Sequence, residues 1–141
     1  GFIAWEPYPA KASTMGVGQN LATSATIWPE HPCCVLVSDR SFLAAHLQTV
    51  KAVAAAHVKA TEYIHQNPDR AVEIGVKYTG MDQETVRQAM ENVHYTHELS
   101  IEGEKEYVAF LSELGYIRLE DPDEFVDRFI NPDILRELLH P

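Results

Sequence analysis

From Ser41 to His65 the apolar positions fall at Leu43, Leu47, Val50, Ala54, Val58, Thr61 and Ile64. Steps of three and four, held over six intervals, predict one long amphipathic helix. Just before it, Cys33–Val37 reads Cys-Cys-Val-Leu-Val, apolar at every position and rich in β-formers. That unbroken pattern predicts a strand covered on both faces, as in an α/β sheet. Between the two, Ser38 or Asp39 offers a helix N-cap. Asn20 to Trp28 alternates loosely, which allows a further short strand, and Pro29-Glu30-His31-Pro32 ends it.

Proline, glycine and capping residues punctuate the rest. Pro7 and Pro9 followed by Gly16 suit a short helix with prolines in its first turn and glycine just past its end. Gly16-Val17-Gly18 is then a turn. Ala52 to Ala56 suggests close packing of the long helix on a flat neighbour. Asn67-Pro68 stops that helix and starts another, with Ala71, Val72, Gly75 and Val76 on one face and Gly80 at its end. Asp82 caps a helix with Val86, Met90 and Val93 inward. His94 to Leu99 is an extended connector. Ser100 caps a helix with Val108, Leu111 and Leu114 inward and Gly115 beyond it. Asp121-Pro122 and Asn131-Pro132 repeat the cap-then-proline signal before two short helices. The count is one clear strand, three at most, against five or six helices. A buried strand needs neighbours on both edges, because unpaired buried backbone groups are costly. These residues therefore read as completing a sheet built by other residues.

Composition changes this picture little. Hydrophobic residues are 45% and charged residues 23% of 141, an ordinary globular balance. The net charge of -10 argues against nucleic acid or an anionic membrane as the main partner, since both need a basic footprint. The charge is uneven: Gly1–Met81 is balanced, and Asp82–Pro141 carries the whole excess of acids. This is the pattern of solvated helix faces. No apolar run approaches the roughly 18 residues of a membrane span. There is no initiator Met and no signal-peptide pattern. Gly1-Phe2-Ile3-Ala4-Trp5 reads as the end of a buried strand whose beginning lies elsewhere.

Candidate chemistry is sparse. His94, His97 and Glu98 lie close together, but their spacing is not the i, i+4 of a zinc helix and no third ligand is evident, so no metal is expected. Cys33 and Cys34 are strand neighbours pointing to opposite faces, which suits small buried side chains better than a bridge or a nucleophile. There is no GxSxG, P-loop or kinase motif, and no cofactor is expected. The aromatic residues say more. Trp5, Tyr8 and Trp28 all sit in irregular, proline-flanked segments, with Glu6 among them. Rings beside a few polar groups are what a small-molecule cleft needs, and they also suit hinge packing.

Several strings in order carry a resemblance. They are Ile3-Ala4-Trp5-Glu6-Pro7-Tyr8, the turn at Gly16–Gly18, the run Cys33–Val37, Ser38-Asp39-Arg40-Ser41-Phe42-Leu43, Ala60-Thr61-Glu62-Tyr63-Ile64, Asn67-Pro68-Asp69-Arg70-Ala71 and Glu113-Leu114-Gly115-Tyr116-Ile117. Together they resemble the C-terminal half of substrate-binding proteins of nitrate/sulfonate/taurine-type (NitT/TauT) ABC importers, which have the two-lobed type II periplasmic-binding-protein fold. The resemblance implies an α/β, helix-rich chain with few strands and five to six helices. Residues 1–31 would be the end of the second lobe and a hinge crossing. Residues 32–141 would be the first-lobe return strand and C-terminal helices. It implies a noncatalytic protein that holds a small anion or a small polar or heterocyclic molecule through Trp5, Glu6, Tyr8 and Trp28. Its partners would be a membrane permease and either a missing N-terminal lobe or a second, swapped copy. Its place would be periplasmic or extracellular, with a membrane anchor at a missing N-terminus as one option. Glu6 fits an anionic ligand poorly, since like charges repel. The helix after Phe42 runs on through His46, where the family often breaks with proline. Two rivals predict different things. An enzyme on the same fold, similar to a pyrimidine-precursor synthase, requires a histidine beside Cys33 or Cys34. A helical interaction module requires no cleft near Trp5 and Trp28.

Overall fold

A computed structural model describes residues 1–140. Among them are nine helices and no strand: α1 (Tyr8–Thr14), α2 (Ser24–Ile27), α3 (Arg40–Ala45), α4 (Leu47–Gln66), α5 (Pro68–Thr79), α6 (Gln83–Glu91), α7 (Ile101–Glu113), α8 (Pro122–Phe129) and α9 (Asp133–Leu139). They fall into two compact units. Unit 1 is Gly1–Thr23 with Val58–His97, and unit 2 is Ser24–His57 with Glu98–Pro141. The expected boundary after residue 31 falls inside unit 2. The division between units passes through α4 at Val58.

Unit 1 is held by α6, which packs on both α1 and α5. Ala10, Ala71, Val72, Val86 and Ala89 are buried at this junction. On α4, Val58 and Thr61 are buried too, two of the positions its apolar spacing marked. Each such valine contributes on the order of 1.5 kcal/mol by leaving water. The closest approach is at Gly75, where an added Cβ would lie 2.7 Å from Val86 Cγ1. Any side chain at that position would force α5 and α6 apart. Local signals set the ends. Asp82 caps α6 through Oδ1, which accepts from the Thr85 amide at 2.9 Å. Its Oδ2 accepts from the Thr85 hydroxyl at 2.7 Å, and the Thr14 hydroxyl of α1 lies 2.7 Å from Thr85 Oγ1. Thr85 is fully buried, so this chain gives its hydroxyl the partners that burial demands. Gly80 ends α5 in the left-handed conformation, φ 69°. Asn67 stands at the N-cap position of α5, but its side-chain amide donates back to the Tyr63 carbonyl at 3.2 Å.

Unit 2 has a thinner interior. α7 packs on α8, with Val108 and Val126 buried between them. Lys105 pairs with Asp127 at 3.1 Å, and this carboxylate holds the ammonium above its ordinary pKa. Asp39 caps α3, accepting from the Ser41 and Phe42 amides at 2.9 and 3.1 Å. Asp121 caps α8 through the Glu124 amide at 2.9 Å. At Asn131, Oδ1 accepts from the Asp133 amide at 3.1 Å.

Three sequence expectations are corrected. The strand expected at Cys33–Val37 does not form: the segment has no regular secondary structure, is exposed, and pairs with no strand among the described residues. β-propensity describes fit to a sheet, and no described residue supplies an edge for these to join. Within Asn20–Trp28 the short strand is replaced by the single turn of α2, closed by the Trp28 amide on the Ser24 carbonyl at 2.7 Å. The long helix from Ser41 is two helices. His46 leaves helical geometry, φ -133° and ψ 40°, and its carbonyl accepts from the Thr49 and Val50 amides to start α4. Its ring packs against Phe42, centroids 4.7 Å apart. Apolar spacing continues across this break, so periodicity alone did not reveal it.

Candidate functional site

A cleft lined by residues from distant parts of the chain lies within unit 1. It has a volume of about 540 Å³ and is walled by α4, α5 and α6, with Val93 and Tyr95 beyond α6 and Glu6-Pro7 ahead of α1. Each helix contributes from its own spacing: Ala60, Tyr63 and Ile64 from α4, Ala71, Ile74 and Tyr78 from α5, Val86, Ala89 and Met90 from α6. Gly75 sits at its floor, where the contact with Val86 brings two walls together. A second depression of about 460 Å³, in unit 2, is lined only by Ser112, Gly115 and residues 117–120. One turn and the loop after it make that hollow, so the fold brings nothing distant to it.

The wall of the unit 1 cleft is apolar and aromatic. No Lys, Arg or His lines it among the described residues. Its one formal charge is Glu6, and both carboxylate oxygens are engaged. Oε2 accepts from the Ala10 amide at 3.1 Å, which caps the start of α1, and Oε1 accepts from the Asn92 side-chain amide at 2.8 Å. The Tyr95 phenol is pushed above its ordinary pKa by burial. Its backbone is pinned by His65, whose Nε2–H donates to the Tyr95 carbonyl at 2.7 Å. Lys77 sits over the outer Tyr78 ring, 5.5 Å from its centroid, without lining the cleft. Such a wall binds by contact and ring stacking, with few directed hydrogen bonds.

The four residues expected to hold a ligand are distributed as follows. Glu6 lines the cleft. Trp5 and Tyr8, in the same unit, are 80% and 60% exposed and line neither of these two clefts. Trp28 belongs to unit 2, where it is half-buried against α7. Its indole N–H donates to Glu106 at 3.0 Å, its ring meets Tyr107 and Phe110 at 5.9 and 6.3 Å, and His31 stacks on it at 6.2 Å. His31 Nδ1–H also donates to the Trp28 carbonyl at 2.8 Å. These contacts make Trp28 the anchor that seats the segment before Cys33 on α7. Cys33 and Cys34 are free thiols with their sulfurs 3.7 Å apart. Partial burial and the neighbouring thiol raise the Cys33 pKa. Among the described residues no group of three His, Cys, Asp or Glu could hold a metal ion, and no helix is long and apolar enough to cross a membrane.

Sequence reasoning missed Tyr63, Tyr78, Tyr95, Ile74 and Met90 as a group. A signal was present in α5. Its apolar positions, Ala71, Val72, Ile74, Gly75, Val76 and Tyr78, cover an arc wider than one packing stripe needs. One part of the arc faces the core, and Ile74 with Tyr78, four residues apart, faces the cleft.

Comparison with known proteins now defines the class. The sequence profile of the NMT1-like family matches residues 1–76, more than half of the chain. The protein belongs to the NMT1-like family, a periplasmic-binding-protein-like family. No curated protein and no solved structure matches the chain.

Proposed function

We propose that the protein is a solute-binding component of an ABC importer of the nitrate/sulfonate/taurine type, with this chain as the C-terminal portion of a two-lobed binding fold. Membership of the NMT1-like family over residues 1–76 carries the reading. The unpaired apolar run Cys33–Val37 supports it, because such a run belongs in a sheet that another part of the fold would supply. In this reading the protein makes and breaks no bonds. It captures a small molecule, with the Trp5–Tyr8 segment and the adjoining cleft as its contribution to recognition, and passes it to a membrane permease from the periplasmic or extracellular side. Closure of lobes around the ligand is the conformational step that permeases read.

The test is a titration of the full gene product with nitrate, taurine, ethanesulfonate and 4-aminopyrimidine. Tryptophan fluorescence and Tm are the readouts. Saturable one-to-one binding of one of them supports the reading, with a stability gain of about 2.7 kcal/mol at a hundred-fold excess over Kd. No binding by any of them at millimolar concentration, or conversion of one to a product, overturns it.

A further inference from the structure

We propose that the cleft between α4, α5 and α6 takes an uncharged, predominantly apolar molecule that carries a ring, and not a free anion. This deepens the solute-binding reading and rests on it for the role of the captured molecule. The chemistry comes from the wall itself. An anion removed from water needs a cation or free N–H groups facing it. The lining has no Lys, Arg or His among the described residues. Nearby helix starts cannot substitute, since the Ala10 amide of α1 is taken by Glu6 and the Thr85 amide of α6 is taken by Asp82. Glu6 adds a negative charge at the rim and would repel an anion. Its two oxygens are already bonded to Ala10 and Asn92, which leaves it a structural brace. What the cleft does offer is aliphatic contact from Ile64, Ile74 and Val86, the adaptable side chain of Met90, and the rings of Tyr63 and Tyr95. Its volume of about 540 Å³ suits one ring system with a short substituent.

Two dyes that share one ring system test this. N-phenyl-1-naphthylamine is neutral, and 8-anilino-1-naphthalenesulfonate is the same anilinonaphthalene bearing a sulfonate. Fluorescence titration of the full chain is expected to show the neutral dye binding about tenfold more tightly. Ala60 is exposed and lines the cleft. Ala60→Trp should fill the cleft and weaken the neutral dye about tenfold, with the far-UV spectrum unchanged. Tyr116→Arg, at a residue of unit 2 that is 76% exposed and lines neither cleft, should leave the affinity unaltered. If Ala60→Trp does not fold, Tyr78→Ala removes an outer wall from a residue 79% exposed and should weaken the dye in the same direction. Equal affinities for the two dyes overturn the proposal. So does an unaffected Ala60→Trp protein, or loss of binding in Tyr116→Arg, which would place the dye on unit 2. The two readings fail separately. Nitrate or taurine bound equally by wild type and Ala60→Trp overturns the ligand class and leaves the importer reading standing. A neutral dye that obeys every expectation, beside a solute panel that does not bind at all, overturns the importer reading alone.

Discussion

Unit 1 and unit 2 satisfy their apolar residues to different degrees. In unit 1 six hydrophobic residues are buried, together with Thr61 and Thr85, and they join α1, α4, α5 and α6, while Ile3, Trp5, Val17 and Leu21 near its chain start stay exposed. In unit 2 the buried hydrophobic residues among those described are Val108 and Val126, while Val35, Leu36, Val37, Phe42, Phe110 and Phe129 stay exposed. Overall hydrophobicity does not separate the two, because both contain ample apolar side chains. The kind of pattern does. A helical stripe can be covered by the next helix in the chain, so α5 and α6 bury each other. An unbroken apolar run such as Cys33–Val37 can be covered only inside a sheet, and the described residues offer none.

The same substitution placed in each unit is the sharpest way to break this contrast. Val72 is 2% exposed and Val35 is 48% exposed. Val72→Asp should cost about 4 kcal/mol by burying an unpaired charge, whereas Val35→Asp should stay within about 0.5 kcal/mol. Thermal unfolding followed by circular dichroism reads both, and equal effects would erase the distinction. Gly75→Ala comes next. The new methyl meets the stiff β-branched Val86, and overpacking of about 1–3 kcal/mol outweighs a helix-propensity gain of at most about 1 kcal/mol. In a Val86→Ala background the same change should become stabilising, so a double-mutant cycle measures the contact directly. Thr85→Val removes the hydroxyl shared by Thr14 and Asp82 and should cost about 1–1.5 kcal/mol, with α1 loosening first in hydrogen exchange.

The smallest effect is in acid, and it compares a cap from each unit. Asp82 is held below the ordinary carboxylate range by the Thr85 amide and then the Thr85 hydroxyl. Asp39 is held below it by the Ser41 hydroxyl and then the Phe42 amide. A carboxylate with a lowered folded pKa stabilises above its unfolded value and loses that contribution as pH falls through the folded one. Both helix starts should therefore weaken below about pH 4. NMR titration of Asp82→Asn should show α6 losing this dependence while α3 keeps it.

Capping chemistry was legible in the sequence because it is local. Asp82 and Asp121 cap the helices expected of them and Gly80 ends α5, while Asp39, offered alongside Ser38, caps only the short α3, and Asn67 and Ser100 stand at the N-cap positions of α5 and α7 without a side-chain cap bond. The break at His46 was not legible, since Leu43 and Leu47 keep helical spacing across it and no proline marks it. The exposed run was legible as β-forming but not as unpaired, because pairing depends on residues far from it. Glu6 could be found as a residue lining a cleft, but its bracing role depends on Asn92, eighty-six positions away. The tyrosines of the cleft were hidden for the same reason: Tyr63, Tyr78 and Tyr95 meet only once three segments are assembled.

For this chain handled by itself, the exposed run has a practical consequence for shelf life. Between His31 and Asp39 no acidic or basic side chain interrupts it, and Pro32 guards one end. Two accessible thiols lie at its start. Molecules stored at high concentration can therefore meet strand to strand, and an oxidant can make the encounter permanent through a sulfur–sulfur link between chains. Turbidity should grow faster than linearly with concentration, and a reductant should slow its irreversible fraction without abolishing the reversible one.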